Sequence, residues 1–216
     1  MNAVPRIVSI VEGDGELAAV PILIRRVGAE LGLYVDCFRS ILTSRDRFPR
    51  FPQERENRMR IARIDAGESG AILVLLDADG EPPCSHGQLR CLLGTDLIEA
   101  VTPLAAGLPI AVVLAQHEFE TWFIAAAPSL VASGDLVPGT EAPEDPERIR
   151  GAKEWLSIRM FNRPSYSPTA DQARLTERFD MQMARQRSPS FDRCYREIER
   201  LILSLSVPQT ASQGPG

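Results

Sequence analysis

Four stretches of the chain predict strands: PRIVSIV (residues 5–11), LYVDCFRSIL (33–42), GAILVLLDAD (70–79) and LPIAVVLA (108–115), and all but the second are apolar enough to be buried. The third is almost continuously apolar, which is typical of a parallel strand covered on both faces. The pattern therefore predicts a sheet of about four strands, most of them parallel.

Polar and apolar positions at helical spacing follow each strand. We expect helices from about Glu16 to Gly32, over 53–67, over 86–106 with breaks near Gly94 and Pro103, and over 118–130. Strands that alternate with helices indicate an α/β sandwich with a parallel sheet.

The amino-acid composition changes after residue 130. Residues 131–168 are acidic and rich in proline and glycine, as in a long loop or insert, and two helical patterns follow within 169–206. Ser188 or Ser190 can cap the second helix. We therefore predict an α/β core over 1–130, an insert, a C-terminal helical pair packed on the core, and a disordered tail over 207–216.

Composition and charge argue against several classes of protein. The 216 residues carry a net charge of −5, which argues against a protein that simply coats nucleic acid. No apolar run reaches the length of a membrane span, and the four cysteines lack CxxC spacing, so we expect reduced thiols in the cytoplasm. Lys153 is the only lysine, so a mechanism that needs a catalytic lysine has one candidate.

Acidic side chains follow three of the predicted strands: Glu12, then Asp77 and Asp79, then Glu118 and Glu120. The carboxyl ends of parallel strands meet at one edge of a sheet, where sites form. Each acidic turn alone is also typical of a solvated surface turn, but their joint placement favours one site. Carboxylates packed together repel, and a divalent cation relieves the repulsion. Oxygen ligands without a His/Cys cluster favour Mg²⁺ or Mn²⁺.

VEGDGELAAVPILIRRV and LVLLDADGE resemble the glutamate and Asp-x-Asp motifs of TOPRIM domains, especially the OLD-type nuclease branch. HEFETWFIAA and SPSFDRCYREIERLI resemble a TOPRIM-like family known as domain of unknown function 4276. The resemblance implies Glu12 as a metal ligand or general base and Asp77 and Asp79 as metal ligands. The resemblance also implies that Glu16 and Glu120 are further acidic ligands. Gly13 would allow the backbone to turn close to the metal ion or to a phosphate.

The resemblance implies a metal-dependent nuclease of TOPRIM type that acts on nucleic acid, with DNA favoured over RNA. OLD-type domains usually work beside an ATPase module, so the resemblance implies either the nuclease subunit of a pair with a separate ATPase or a stand-alone nuclease. It also suggests a role in mobile-element or phage defence. An alternative is a non-catalytic subunit that keeps the fold. The oligomeric state stays open.

LLDADGE also resembles the nucleophile motif of haloacid-dehalogenase-type phosphatases, in which the first aspartate, here Asp77, attacks phosphorus. That family needs a downstream lysine, and Lys153 lies in a polar stretch with no predicted helix start or strand end. Glu12 and Glu16 would have no role. The phosphatase is therefore the less favoured alternative. No GxGxxG or GK[ST] motif supports a nucleotide site.

Residues 39–63 contain eight arginines against three acids. Guanidinium groups suit phosphate oxygens, which makes Arg45, Arg47, Arg50 and Arg58 candidates for nucleic-acid contact. Phe48 and Phe51 could stack on unpaired bases. A solvated helix with Glu–Arg pairs, with both phenylalanines packing the loop onto the core, explains the same stretch equally well. Trp122 and Phe123 are expected in the core.

Overall fold

The computed structural model describes residues 4–44, 47–78 and 96–206. Within them the strands form one parallel sheet: β1 (Arg6–Val11), β2 (Asp36–Cys37), β3 (Ile41–Leu42), β4 (Ala71–Asp77) and β5 (Ile110–Ala115). The order across the sheet is β2, β1, β4, β5, and β3 pairs with β1 on the β2 side. The predicted α/β class with a central parallel sheet is confirmed.

The outer strand is the main departure from the predicted elements. Instead of one strand over 33–42, β2 pairs with the start of β1 and β3 with its end. Between them the Cys37 carbonyl accepts a hydrogen bond from the Arg25 guanidinium (2.8 Å), and the Ser40 hydroxyl lies 2.7 Å from that of Ser9. Side-chain hydrogen bonds thus replace the backbone ladder there.

Helices cover both faces of the sheet. On one face lie α1 (Glu16–Glu30) and the C-terminal helix; on the other lie α2 (Arg47–Arg50), α3 (Pro52–Ala66) and the helical residues 96–101 (α4). Residues of β4 alternate between the two layers, with Leu73 and Leu75 in one and Val74 in the other, and all seven are buried. Burial on both faces explains the continuous apolar run.

Between β5 and residue 206, five short α-helices precede a long one: α5 (Thr121–Ala125), α6 (Ala127–Ala132), α7 (Ala152–Ser157), α8 (Ala173–Arg178), α9 (Met181–Arg187) and α10 (Pro189–Ser206). A 3-10 helix (Pro146–Arg148) and a π-helix (Pro168–Gln172) lie among them. Five aromatic rings from this part of the chain pack against one another at centroid distances of 4.6 to 5.6 Å: Phe119, Trp122, Phe123, Phe179 and Phe191. Trp122 and Phe123, both fully buried in this cluster, confirm the core prediction.

Residues 131–168 contain α7 and pack closely on the rest. Leu136 and Leu156 are buried in the same core as α1. Glu147 accepts hydrogen bonds from the Ser188 hydroxyl (2.6 Å) and the Ser190 backbone (2.8 Å) at the start of α10. Ser188 is the cap, because its oxygen accepts the Phe191 N–H at 3.1 Å. The segment thereby ties α10 to the core.

None of the helices in the described part of the chain combines the length and apolarity that a bilayer crossing requires.

Candidate active site

Three parallel strands end at the edge of the sheet where the acidic residues were predicted to meet. Glu12 directly follows β1, and Asp77 is the last residue of β4. The register pairs Ile10 with Val74 and Asp77 with Ala115, the last residue of β5. Glu12, Asp77 and the residues after β5 therefore lie at the same level.

Glu16 is the first residue of α1 and is only 3% exposed. Its carboxylate accepts the backbone N–H groups of Glu12 (3.2 Å) and Gly13 (3.4 Å). Burial, with the charges of Glu12 and Glu120 added, raises the pKa of Glu16 to about 8. The side chain thus turns inward toward the other acids.

Asp77 is 8% exposed, and its carboxylate accepts the Phe119 N–H at 2.9 Å. Its pKa is raised well above the ordinary value by burial first, then by the charges of Glu16, Glu12 and Glu120. The structure therefore brings together four of the predicted ligands, which act electrostatically on one another: Glu12, Glu16, Asp77 and Glu120.

Glu120 is the most deeply buried of these acids, at 1% exposure. The Tyr166 hydroxyl donates to its Oε1 at 2.9 Å, and the Lys153 ammonium lies 3.6 Å from its Oε2. Burial raises the pKa of Glu120, and the charge of Lys153 opposes that rise. Both neighbours come from residues 131–168, so this segment contributes to the site.

Lys153 lies in the first turn of α7, so the expectation that it has no helix-start context is wrong. Its ammonium is 2.9 Å from Glu118 Oε1, while Glu118 Oε2 accepts the N–H groups of Ala152 (2.9 Å) and Lys153 (3.4 Å). Burial would lower the pKa of Lys153, but Glu120 and Glu118 outweigh it and raise it. The N-cap of α7 is Gly151, with a left-handed φ of 73°, rather than the Ser, Thr, Asp or Asn typical of helix starts, so the sequence carried only a weak signal for this helix.

A tight turn lies directly after β5, just before Glu118 and Glu120. The N–H of Glu118 donates to the Gln116 carbonyl (2.9 Å) across His117, whose φ is 62°. This is a γ-turn with a side-chain-bearing residue in the left-handed region, which stores backbone strain. His117 itself is buried, at 5% exposure.

Gly15, rather than Gly13, is the restricted position in the turn before α1. A Cβ on Gly15 would lie 2.0 Å from Gln172 Oε1 and 2.7 Å from the Pro168 carbonyl oxygen. At Gly13 the nearest atom to a Cβ, in the Glu16 carboxyl group, is 3.4 Å away. The turn packs against residues 168–172, a tertiary contact with no signal in the local sequence.

A family model described as Domain of unknown function (DUF4276) matches residues 11–199. The chain belongs to this family. The match begins one residue before Glu12 and ends within α10, so it includes all the acids described above as well as Lys153 and Tyr166. Among curated proteins and among solved structures, nothing matches this chain.

Two predicted site residues of this DUF4276 domain, Asp79 and Arg45, lie outside the described residues. Within residues 4–44, 47–78 and 96–206, no group of three or more His, Cys, Asp or Glu side chains is arranged to hold a metal ion. The donors that meet at the edge are nevertheless carboxylate oxygens, the ligand type that Mg²⁺ and Mn²⁺ prefer.

Only some residues of the predicted nucleic-acid surface are exposed in the described part of the chain. Arg47 and Arg50 are exposed on α2, which follows β3 beside the end of β1. Arg58 is paired with Glu54 at 2.8 Å within α3. Phe48 is fully buried in the core, which agrees with the alternative interpretation and leaves it unable to stack on bases, whereas Phe51 is 55% exposed.

Proposed function

We propose that this protein is a metal-dependent nuclease of TOPRIM type that hydrolyses phosphodiester bonds in nucleic acid. The observation that carries the proposal is the meeting of four buried or half-buried carboxylates at the carboxyl edge of the sheet. Ionised carboxylates are costly in this cluster, because burial first and the charges of the neighbouring acids second raise the pKa values of Glu16 and Asp77. A bound divalent cation would relieve this repulsion.

Glu12 and Asp77, with Glu16, Glu120 and the predicted Asp79, are the residues that would hold Mg²⁺ or Mn²⁺. When bound, such an ion polarises a phosphoryl oxygen and lowers the pKa of water.

The protein's own groups position these carboxylates. The Phe119 N–H orients Asp77, and the Tyr166 hydroxyl orients Glu120. Lys153 supplies a positive charge beside the cluster. Glu12, which is only half-buried, is the carboxylate most open to a substrate and is suited to accept a proton from water.

The exposed Arg47 and Arg50 lie on the side of the sheet next to Glu12 and are suited to phosphate oxygens. The preference for DNA, the separate ATPase partner and the role in phage defence rest on the resemblance to OLD-type domains. We include them in the proposal on that resemblance alone.

Thermal unfolding with and without millimolar Mn²⁺ or Mg²⁺ tests the metal site. An ion at 100 times its Kd adds about 2.7 kcal/mol to stability, which is about 5 to 10 °C for a domain of this size. Asp77→Asn should unfold at a higher temperature than wild type without metal, because it removes one repelling charge, and should lose the metal-dependent rise.

Asp14→Asn is the matched control, since Asp14 is exposed in the same turn as Glu12. It should behave as wild type. A wild-type protein with no stabilisation by either ion would overturn the metal site. Cleavage of DNA and RNA, with Glu12→Gln as the inactive variant, tests the chemistry.

One observation favours a second function, a phosphatase with Asp77 as nucleophile. Lys153 acts electrostatically on Asp77, so the lysine that this chemistry needs is near. A phosphatase would form a phospho-Asp77 intermediate and retain activity in Glu12→Gln. A non-catalytic subunit would show neither cleavage nor a metal-dependent shift, even with an ATPase partner supplied.

A further inference from the structure

A groove of about 500 Å³ lies at the opposite edge of the sheet from the acids. It runs between the last turns of α3 and the 3-10 turn Pro103–Ala105. Gly67 and Leu108, which line it, precede β4 and β5 respectively. Parallel strands start at one edge and end at the other, so the groove is separated from the acid cluster by the length of the strands.

Two arginines of α3 line this groove and are exposed, Arg60 and Arg63. No hydrogen bond or ion pair joins either guanidinium to another residue in the described part of the chain. The other arginines of α3 are engaged: Arg55 donates to the Phe48 and Pro49 carbonyls, and Arg58 pairs with Glu54. The groove thus presents two guanidinium groups one helical turn apart.

The rest of the lining is largely aliphatic. Ile64 is 68% exposed, although it is a large apolar side chain on a helix between charged residues. Ala105, Ala106 and Leu108 form the facing wall. Glu68 also lines the groove, which leaves the two arginines with an excess of one positive charge.

We propose that this groove docks an acidic segment of a partner protein. A large aliphatic side chain of the segment would pack between Ile64 and Leu108, and flanking carboxylates would bind Arg60 and Arg63. Arginine forks match carboxylates bidentately, and arginine beside an apolar pocket is a common centre of binding energy in protein interfaces.

The lining favours a peptide over a nucleic acid, because its residues include no aromatic ring on which a base could stack. The location leaves the acid cluster open while the partner is bound. The docking site therefore stands independently of the proposed nuclease activity.

Selection of random dodecapeptides displayed on phage, against the full chain, tests the proposal. The enriched peptides should combine Asp or Glu with a Leu, Ile or Met. Their affinity, measured by fluorescence polarisation of the labelled peptides, should fall at least about 100-fold for the double variant Arg60→Glu/Arg63→Glu, since each charged hydrogen bond contributes about tenfold or more. Ile64→Ser should weaken binding with both arginines intact.

The control is Arg148→Glu/Arg193→Glu, which makes the same change in net charge at two other exposed arginines. It should bind the peptides as wild type does, and circular dichroism should show that all variants are folded. Failure to enrich acidic-aliphatic peptides, or equal loss in both double variants, would overturn the proposal. Loss of oligonucleotide rather than peptide binding in Arg60→Glu/Arg63→Glu would assign the groove to nucleic acid instead.

Discussion

Replacing Glu16 by glutamine should stabilise the protein in a pH-dependent way. The amide keeps an oxygen that can accept the N–H groups of Glu12 and Gly13, but it cannot ionise. The Glu16 side chain is buried among other carboxylates, and its pKa is raised to about 8 in the folded state from a reference of 4.5. Between these two values the unfolded chain releases a proton that the folded protein keeps.

The free energy of unfolding of the wild type therefore falls as pH rises from 4.5 toward 8. One such group contributes a slope of about 1.4 kcal/mol per pH unit. Over the whole window the limit is about 5 kcal/mol, reached only if Glu16 titrates independently of its neighbours. Glu16→Gln should match the wild type near pH 4.5 and exceed it by several kcal/mol at pH 8.

Urea unfolding in the presence of EDTA, followed by tryptophan fluorescence at half-unit steps from pH 4.5 to 8, measures this difference. Trp122 lies in the aromatic cluster and reports loss of the core. Glu56→Gln, at an exposed position of α3, is the control and should leave the pH dependence unchanged.

Two results would refute the reasoning. Equal pH dependence in wild type and Glu16→Gln would mean that Glu16 is already ionised at neutral pH. A loss of stability that is the same at every pH would mean that Glu16 serves only to bind the turn before α1.

Gly15→Ala should lower the unfolding free energy by about 1–3 kcal/mol, because its Cβ would come within 2.7 Å of a backbone carbonyl oxygen; Gly13→Ala is the control, and urea unfolding measures both. Lys153→Met should raise the pKa of Glu120 further, so its loss of stability should be larger at pH 8 than at pH 5 in the same assay. Tyr166→Phe leaves the buried Glu120 without its hydroxyl donor and should cost about 1–3 kcal/mol. A Tyr166→Phe protein as stable as wild type would show that this hydrogen bond is not formed in solution.

Much of the fold could be predicted from periodicity. A strand buried on both faces needs apolar residues at every position, and β4 is recognisable for that reason. The outer strand was not predicted correctly, because Arg25 and Ser9 interrupt its ladder with side-chain hydrogen bonds from elsewhere in the chain. Such contacts leave no periodic signal.

The candidate site, like the fold, could be predicted from sequence only in part. Glu12, Asp77 and Glu120 could be placed together from sequence, since residues that follow parallel strands share one edge. Burial of His117 could not, because exposure depends on what packs over a turn, and burial of Phe48 was one of two interpretations that the local sequence supported equally.

The sequence by itself determined the alternation of strands and helices in the core and the collection of acids at one edge, because both follow from local patterns and the geometry of parallel strands. The tertiary structure alone decided which groups surround those acids. Lys153 and Tyr166 reach Glu120 from more than 30 residues away, and the groove beside Arg60 and Arg63 forms where α3 meets the segment before β5. These neighbours are set by how the helices pack on the sheet, and packing joins residues whose separation in sequence carries no information about their distance.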